Sequence, residues 1–247
     1  MFSKYSIDIN CDVAEGVGNE ALLMPFLSSC NIACAAHAGD VETIDEVIRL
    51  AKLHQVKIGA HPSFPDRENF GRKIMPISDE DLQKSIENQI QLLIDRASAQ
   101  KVSLHHIKLH GALYNLAAKD QKTAEIAISA IQNVIKDVVL FVPYNSQIAQ
   151  LALSRGYNLM YEAFADRNYN DDLSLVARSL PNSVLSNRKD VLAHVLRIVK
   201  EKKVLTISGK EFNIQSDTLC VHGDHKNSVE ILEYLYEGLR NNEVEIK

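Results

Sequence analysis

Residues 7–12, Ile7-Asp8-Ile9-Asn10-Cys11-Asp12, run into Glu15 and carry the pattern that decides the fold: an apolar, strand-like segment ending on polar, chemically able side chains. The pattern returns five times. Ile32-Ala33-Cys34 leads to His37 and Asp40, and Val56-Lys57-Ile58-Gly59-Ala60 leads to His61. Ile107-Lys108-Leu109 reaches His110, Leu159-Met160-Tyr161-Glu162 precedes Asp166-Arg167, and Leu219-Cys220-Val221 delivers His222 and Asp224. Helical patterns separate most of these runs. Strand and helix alternating in this way predict a parallel sheet, closed or nearly closed. In such folds the βα loops open on one face, at the carboxyl ends of the strands, where active sites gather. One polar cluster per strand end therefore predicts a single site assembled from the whole chain, in an α/β barrel of the TIM-like kind.

The 247 residues match one βα barrel of about 250 residues, so residues 1–247 are read as one domain. A 46% hydrophobic content is ordinary for a chain with a full core. A net charge of −5 and a pI near 6.0 leave no basic footprint, which argues against nucleic acid and anionic membrane as partners. There is no apolar run of about 18 residues and no charged-then-apolar leader, so the expected location is cytoplasmic. A homo-oligomer remains open.

Four cysteines fit a reducing compartment. Cys11, Cys34 and Cys220 lie in or beside predicted strands and Cys30 just precedes one, so they read as small buried residues, with a catalytic thiol at Cys11 as the sharper alternative. Cys30-x-x-x-Cys34 lacks a second pair at zinc-site spacing.

Helix signals bound the strands. Gly39-Asp40 can cap a helix with Ile44, Val47, Ile48 and Ala51 on one face. Ser78-Asp79-Glu80-Asp81 resembles a capping box before Leu82, Ile86, Ile90, Leu93 and Ile94. Further helices are predicted over about 119–135, 145–156, 188–202 and 226–240, with a local hairpin pairing 204–207 and 212–214. Two connections, 61–76 and 163–182, are long enough to be functional lids. They bring Arg67 and Arg72, and Arg167 and Arg178, whose guanidinium groups match carboxylate or phosphate oxygens.

His54 and His194 sit on helical patterns and read as partly exposed. His106 and His110 would be about 13 Å apart along a strand at ~3.3 Å per residue, too far to share an ion. His37, His61, His110 and His222 each come from a different strand end. With Asp12, Glu15, Asp40, Asp166 and Asp224 they offer acids and bases near neutral pH. Lys108 shares a strand side with His110 and could stabilise developing negative charge. Asp12, His37 and His61 also form an acceptable metal set. A P-loop is excluded, since Val204 stands where the first glycine belongs and Glu211 follows Lys210; no Gly-x-Ser-x-Gly elbow occurs.

Several of these stretches together resemble the LamB/YcsF family, the A subunits of ATP-dependent 5-oxoprolinase. They are residues 8–16 (DINCDVAEG), 31–40 (NIACAAHAGD), 59–67 (GAHPSFPDR), 108–115 (KLHGALYN), 162–169 (EAFADRNY) and 220–224 (CVHGD). The resemblance covers the chain in order. It implies a distorted barrel of seven to eight strands related to glycoside hydrolase and deacetylase barrels. It further implies opening of the 5-oxo-L-proline lactam to L-glutamate, with ATP as co-substrate (and Mg²⁺ accompanying it) and with B and C subunits as partners. Asp12, Glu15, His37, Asp40, His61, Lys108, His110 and His222 are then catalytic candidates. Asn10, Arg67, Arg72, Tyr114, Asn115, Asp166, Arg167, Arg178 and Asp224 are candidates for binding substrate and phosphate. Ala35-Ala36 stands where the family has Gly-Phe, and Leu109 where it has Pro; loss of the aromatic would alter the pocket wall. Two other readings compete: a metal-dependent deacetylase or amidohydrolase, and a non-catalytic substrate-binding subunit.

Overall fold

Alternation within the first strand sets the architecture. In β1 (Tyr5–Val13) Ile7, Ile9, Cys11 and Val13 are buried on one side, while Asp8, Asn10 and Asp12 lie on the other. A computed structural model describes residues 5–224 and 227–247. In it, β1 is followed by β2 (Ser29–Ala33), β3 (Lys57–His61), β4 (His106–Ile107), β5 (Val139–Pro143) and β6 (Asn158–Phe164). The chain then forms β7 (Lys203–Leu205), β8 (Glu211–Asn213), β9 (Thr218–Cys220) and β10 (Val244–Ile246). The sheet order β1-β2-β3-β4-β5-β6-β9 closes through β9 onto β1, all parallel. This is a closed seven-stranded barrel. β10 adds to the start of β1, Tyr5 facing Val244, below the stretch where Asp8–Asn10 pair with β9. β7 and β8 form the expected antiparallel hairpin outside the barrel.

The helices are α1 (Glu20–Leu23), α2 (Val41–His54), α3 (Asp79–Ala99), α4 (Gly111–Ala117), α5 (Gln121–Val134), α6 (Gln147–Ser154), α7 (Arg188–Leu196) and α8 (Ser228–Asn241). A π-helical turn, Arg197–Glu201, continues α7. α2, α3, α5 and α6 start at Asp40, Ser78, Asp120 and Ser146, whose side chains each accept the backbone N–H three residues on. The predicted start of the last helix, Lys226, lies outside the described residues. No helix among the described residues is long and apolar enough to cross a membrane.

Four elements escaped the sequence reading, the single turn of α1 among them. β5 reads Val-Leu-Phe-Val-Pro and ends on no titratable group, so the strand-end pattern passed over it. α4 is short and starts on His110 itself, and β10 is only three residues long.

The barrel interior is polar, where such barrels usually carry layers of branched apolar side chains. Asp8 Oδ1 accepts from Ser29 Oγ (2.8 Å) and Thr218 Oγ1 (2.6 Å). Above it, Asn10 Nδ2 donates to Thr218 Oγ1 (2.7 Å) and Glu162 Oε1 (3.0 Å), and Asn31 Nδ2 donates to Asn10 Oδ1 (2.7 Å). His106 completes this layer. Its Nε2 meets Asn31 Oδ1 at 2.7 Å, and its ring stacks on Phe141 at 3.9 Å. Gly59 is a glycine because that ring fills the space its Cβ would need. Apolar packing is moved outward, between the strands' outer faces and the helices.

Candidate active site

Above the Asn10 layer, the carboxyl ends of the strands form the floor of a cavity of about 570 Å³. Asp12, at the end of β1, is held on both oxygens. Oδ1 accepts from Lys108 Nζ (2.9 Å) and Asn31 Nδ2 (2.8 Å), and Oδ2 lies 3.3 Å from His61 Nε2. Burial alone would raise the Asp12 pKa, but the fields of His61 and Lys108 outweigh it and hold the carboxyl well below the usual range. Lys108 is itself buried. Burial works against its charge, yet Asp12 and Glu162, each 2.9 Å from Nζ, keep its pKa well above the ordinary value.

Three histidines form one packed group. His37 and His110 stack at 3.8 Å with planes 7° apart, and His61 stands edge-on to both. Phe70, from the first long connection, closes the group by edge contacts to His37 and His110. Glu15 reaches in from the β1 loop, with Oε1 3.3 Å from His37 Nε2 and 3.4 Å from His110 Nδ1. Burial lowers the pKa of His37, and that of His110 further, where His61 and His37 add to it. On the other side of the cavity, His222 is oriented by Asp166, which accepts from its backbone N–H (3.0 Å) and lies 2.8 Å from Nδ1. The His222 ring also stacks on Phe164.

Both long connections lie over this floor. Asn69, Arg72 and Lys73 of the first and Leu175–Ser179 of the second line the cavity. They meet at Asp224, whose Oδ2 is 2.7 Å from Arg72 and 3.3 Å from Arg178. Tyr114, Asn115 and Leu109 complete the wall. Tyr114 Oη and Glu162 Oε2 are buried there without an aligned partner.

Other candidates sit elsewhere. Asp40 is exposed and caps α2 through Thr43, the helix start its sequence position also predicted, and it stands outside the cavity lining. Arg67 spends its guanidinium on the Ala35 and Gly39 carbonyls, outside the cavity wall. Arg167 does reach the wall, but its N–H groups clamp the Val176 and Ser183 carbonyls and hold the second connection in shape. Asn10 lies beneath the floor. Cys11 is fully buried, and burial followed by the Asp12 charge pushes its thiol well up, which removes it as a nucleophile. All four cysteines are free and buried. His194 is part-buried, as read, with Nε2 3.2 Å from the Phe164 carbonyl, and burial lowers its pKa.

Ala35 has φ +62°, a left-handed conformation that the family's glycine takes without strain. Ala36 lines a shallow groove beside Cys34 and Asn88 and is not part of the main cavity wall. Glu162, Asn31, His106 and Ser63 belong to the site or its support and were missed as site residues. For Glu162 the signal was available, because a carboxylate inside the apolar run Leu159–Phe164 must face a polar interior or a counter-charge.

The LamB/YcsF family matches residues 7–247. The A-type 5-oxoprolinase subunit from Clostridium beijerinckii is 37% identical over 247 residues, covering 98% of this chain and 97% of its own. Its counterpart from Pyrococcus horikoshii is 36% identical over 245 residues, covering 97% and 96%. Among solved structures, the lactam utilization protein from Thermus thermophilus is 34% identical and superimposes with a TM-score of 0.91, covering 98% of this chain and 99% of that one.

Proposed function

The chain belongs to the LamB/YcsF family, and on that premise we propose that it is the A-type subunit of a 5-oxoprolinase, opening 5-oxo-L-proline to L-glutamate with ATP and two partner subunits, B and C. The observation that carries this reading is the cavity floor. An ionised Asp12 is fixed by Lys108, and a three-histidine group with Glu15 sits beside it, under two arginines. A five-membered lactam with one carboxylate fits a cavity of about 570 Å³ with room for a phosphoryl group.

A lactam is an unactivated amide, and ATP overcomes this by phosphorylating its oxygen, with release of ADP. Water then adds to the imidate carbon, and the ring C–N bond breaks as nitrogen takes a proton. The product is an acyl phosphate, which a second water hydrolyses to glutamate and phosphate. The side chains divide the work. Asp12 or Glu15 accepts a proton from water, and the histidines carry one to the departing nitrogen. Lys108 is committed to Asp12 and Glu162. Anion binding therefore falls to Arg72 and Arg178, which Asp224 holds over the cavity. The two long connections line the cavity on one side, and their closing over bound substrate would shield the acyl phosphate from bulk water.

The test is glutamate release from 5-oxoproline in the assembled system, with and without ATP, using wild type and Asp12→Asn. The variant should lose at least about 10²-fold in kcat, the usual scale of general acid–base catalysis. A folded, assembled Asp12→Asn protein with full activity would sink the assignment.

A further inference from the structure

We infer that Asp12, Glu15, His61 and His110 form a binding site for one divalent transition-metal ion. The inference rests on where the imidazole hydrogens must be. His61 Nδ1 lies 2.8 Å from the Lys108 backbone carbonyl, which can only accept, so Nδ1 carries a hydrogen and in the neutral ring Nε2 presents a lone pair. His110 Nε2 lies 3.0 Å from the Phe70 carbonyl, so by the same logic its Nδ1 presents a lone pair. Yet His61 Nε2 and His110 Nδ1 face each other at 2.9 Å. Asp12 Oδ2 stands 3.3 Å from the first, and Glu15 Oε1 3.4 Å from the second. Four acceptors converge with no hydrogen assigned between them. With both rings neutral such an arrangement repels unless a cation sits among them: a proton on His61 in the metal-free chain, which a metal ion would displace.

The distances suit an ion. The four ligand atoms lie within 4.8 Å of one another. Ligands about 2.1 Å from one metal stand about 3.0–4.2 Å apart, so small rotations complete the shell. Each imidazole is already oriented by a hydrogen bond from its outer nitrogen to a backbone carbonyl, the usual support of a metal-bound histidine. Local charge agrees. With the carboxylates ionised, Lys108 answers Asp12 and Glu162, and Glu15 stands against the histidines, so three carboxylates and one ammonium leave a balance of two negative charges. Two imidazoles and two carboxylates favour zinc, iron or manganese over calcium or magnesium. A second grouping, Asp12 with Cys220 and His222, is ruled out by the Lys108 ammonium, which lies 3.2 Å from Cys220 Sγ and already supplies the cation there.

This set differs from the sequence expectation of Asp12, His37 and His61. His37 stacks behind His110 and touches Glu15, but it does not join the converging atoms. An ion here would polarise an amide oxygen. That chemistry serves a lactam and an acetamide alike, so the inference stands apart from the lactam reading and is tested without turnover.

The experiment uses the full-length chain, freed of any affinity tag and stripped with chelator, then dialysed against Zn²⁺ or Mn²⁺. Elemental analysis should give about one ion per chain, and metal should raise Tm reversibly. Glu15→Gln and His110→Gln, checked for native circular dichroism, should weaken binding at least 10-fold and lose the Tm rise, while surface His54→Gln should not. Imidazole ¹⁵N spectra of the stripped protein should show a shared proton at His61 and His110 that the metal displaces. Sub-stoichiometric metal, or a His61–His110 proton that persists in excess metal, would overturn the inference and make the cation a proton. Equal binding by wild type and both site variants would overturn it too.

Discussion

Replacing Lys108 by Met removes the ammonium that two buried carboxylates share. Each contact is 2.9 Å long, a gross attraction of about 6 kcal/mol at an effective dielectric of about 20. Desolvating the ammonium offsets several kcal/mol of the pair. The net loss on leaving Asp12 and Glu162 uncompensated is then about 3–5 kcal/mol, the range for breaking a buried ion pair. For a chain of this size that is roughly 6–20 °C in Tm. Glu162→Gln in the same protein removes one of the orphaned charges while keeping the shape. The double variant should therefore be more stable than Lys108→Met alone, with a coupling of about 1–3 kcal/mol. The assay is urea unfolding at pH 7 in chelator-treated buffer, followed by circular dichroism, for wild type, both single variants and the double. A loss under about 1 kcal/mol for Lys108→Met would refute the account of Lys108 as the charge that holds the floor together. Strict additivity of the two substitutions would refute it as well.

Two further outcomes concern the scaffold. Gly59→Ala places a Cβ on the His106 ring, which Phe141 and Asn31 hold in place; overpacking with loss of a buried hydrogen bond should cost about 2–4 kcal/mol, and a near-neutral variant would contradict the packing. Asp171 accepts from Lys210 (2.8 Å), Ser208 (2.6 Å) and Thr206 (2.7 Å), and these contacts hold its pKa at about 2. A depressed carboxyl stabilises the fold above its unfolded value near 3.8 and loses that contribution as pH falls through about 2. The urea midpoint should therefore drop less between pH 5 and pH 2.5 in Asp171→Asn than in wild type, and equal drops would show that the anchor carries no linkage.

Much of this protein was legible in one dimension, because parallel barrels translate chain order into geometry. Apolar runs ending on Asp12, His37, His61, His110 and His222 announced both the strands and the face on which they end, since every βα loop opens there. Capping residues Asp40 and Ser78 announced helix starts through a local rule that needs no partner. The same local rule gives Asp40 two readings in sequence: a carboxylate after a strand reads alike whether it caps a helix or enters a site.

What the sequence by itself determined is therefore the α/β class, the face on which the candidate site gathers and most of the titratable groups on it, all set by period and position along the chain. Only the tertiary structure decided how those groups pair. Lys108 meets Glu162 and Asp12 because barrel closure lets side chains from the ends of β4, β1 and β6 project into one interior, a juxtaposition of residues far apart in the chain. His61 and His110 turn lone pairs toward each other because the carbonyls of Lys108 and Phe70 claim their outer hydrogens. Arg67 and Arg167 were indistinguishable in sequence from Arg72 and Arg178. Nearby carbonyls occupy the first two, and the second two remain over the cavity on Asp224. Hydrogen-bond satisfaction is a three-dimensional property, and it separates groups that hold the fold from groups left to act on a ligand.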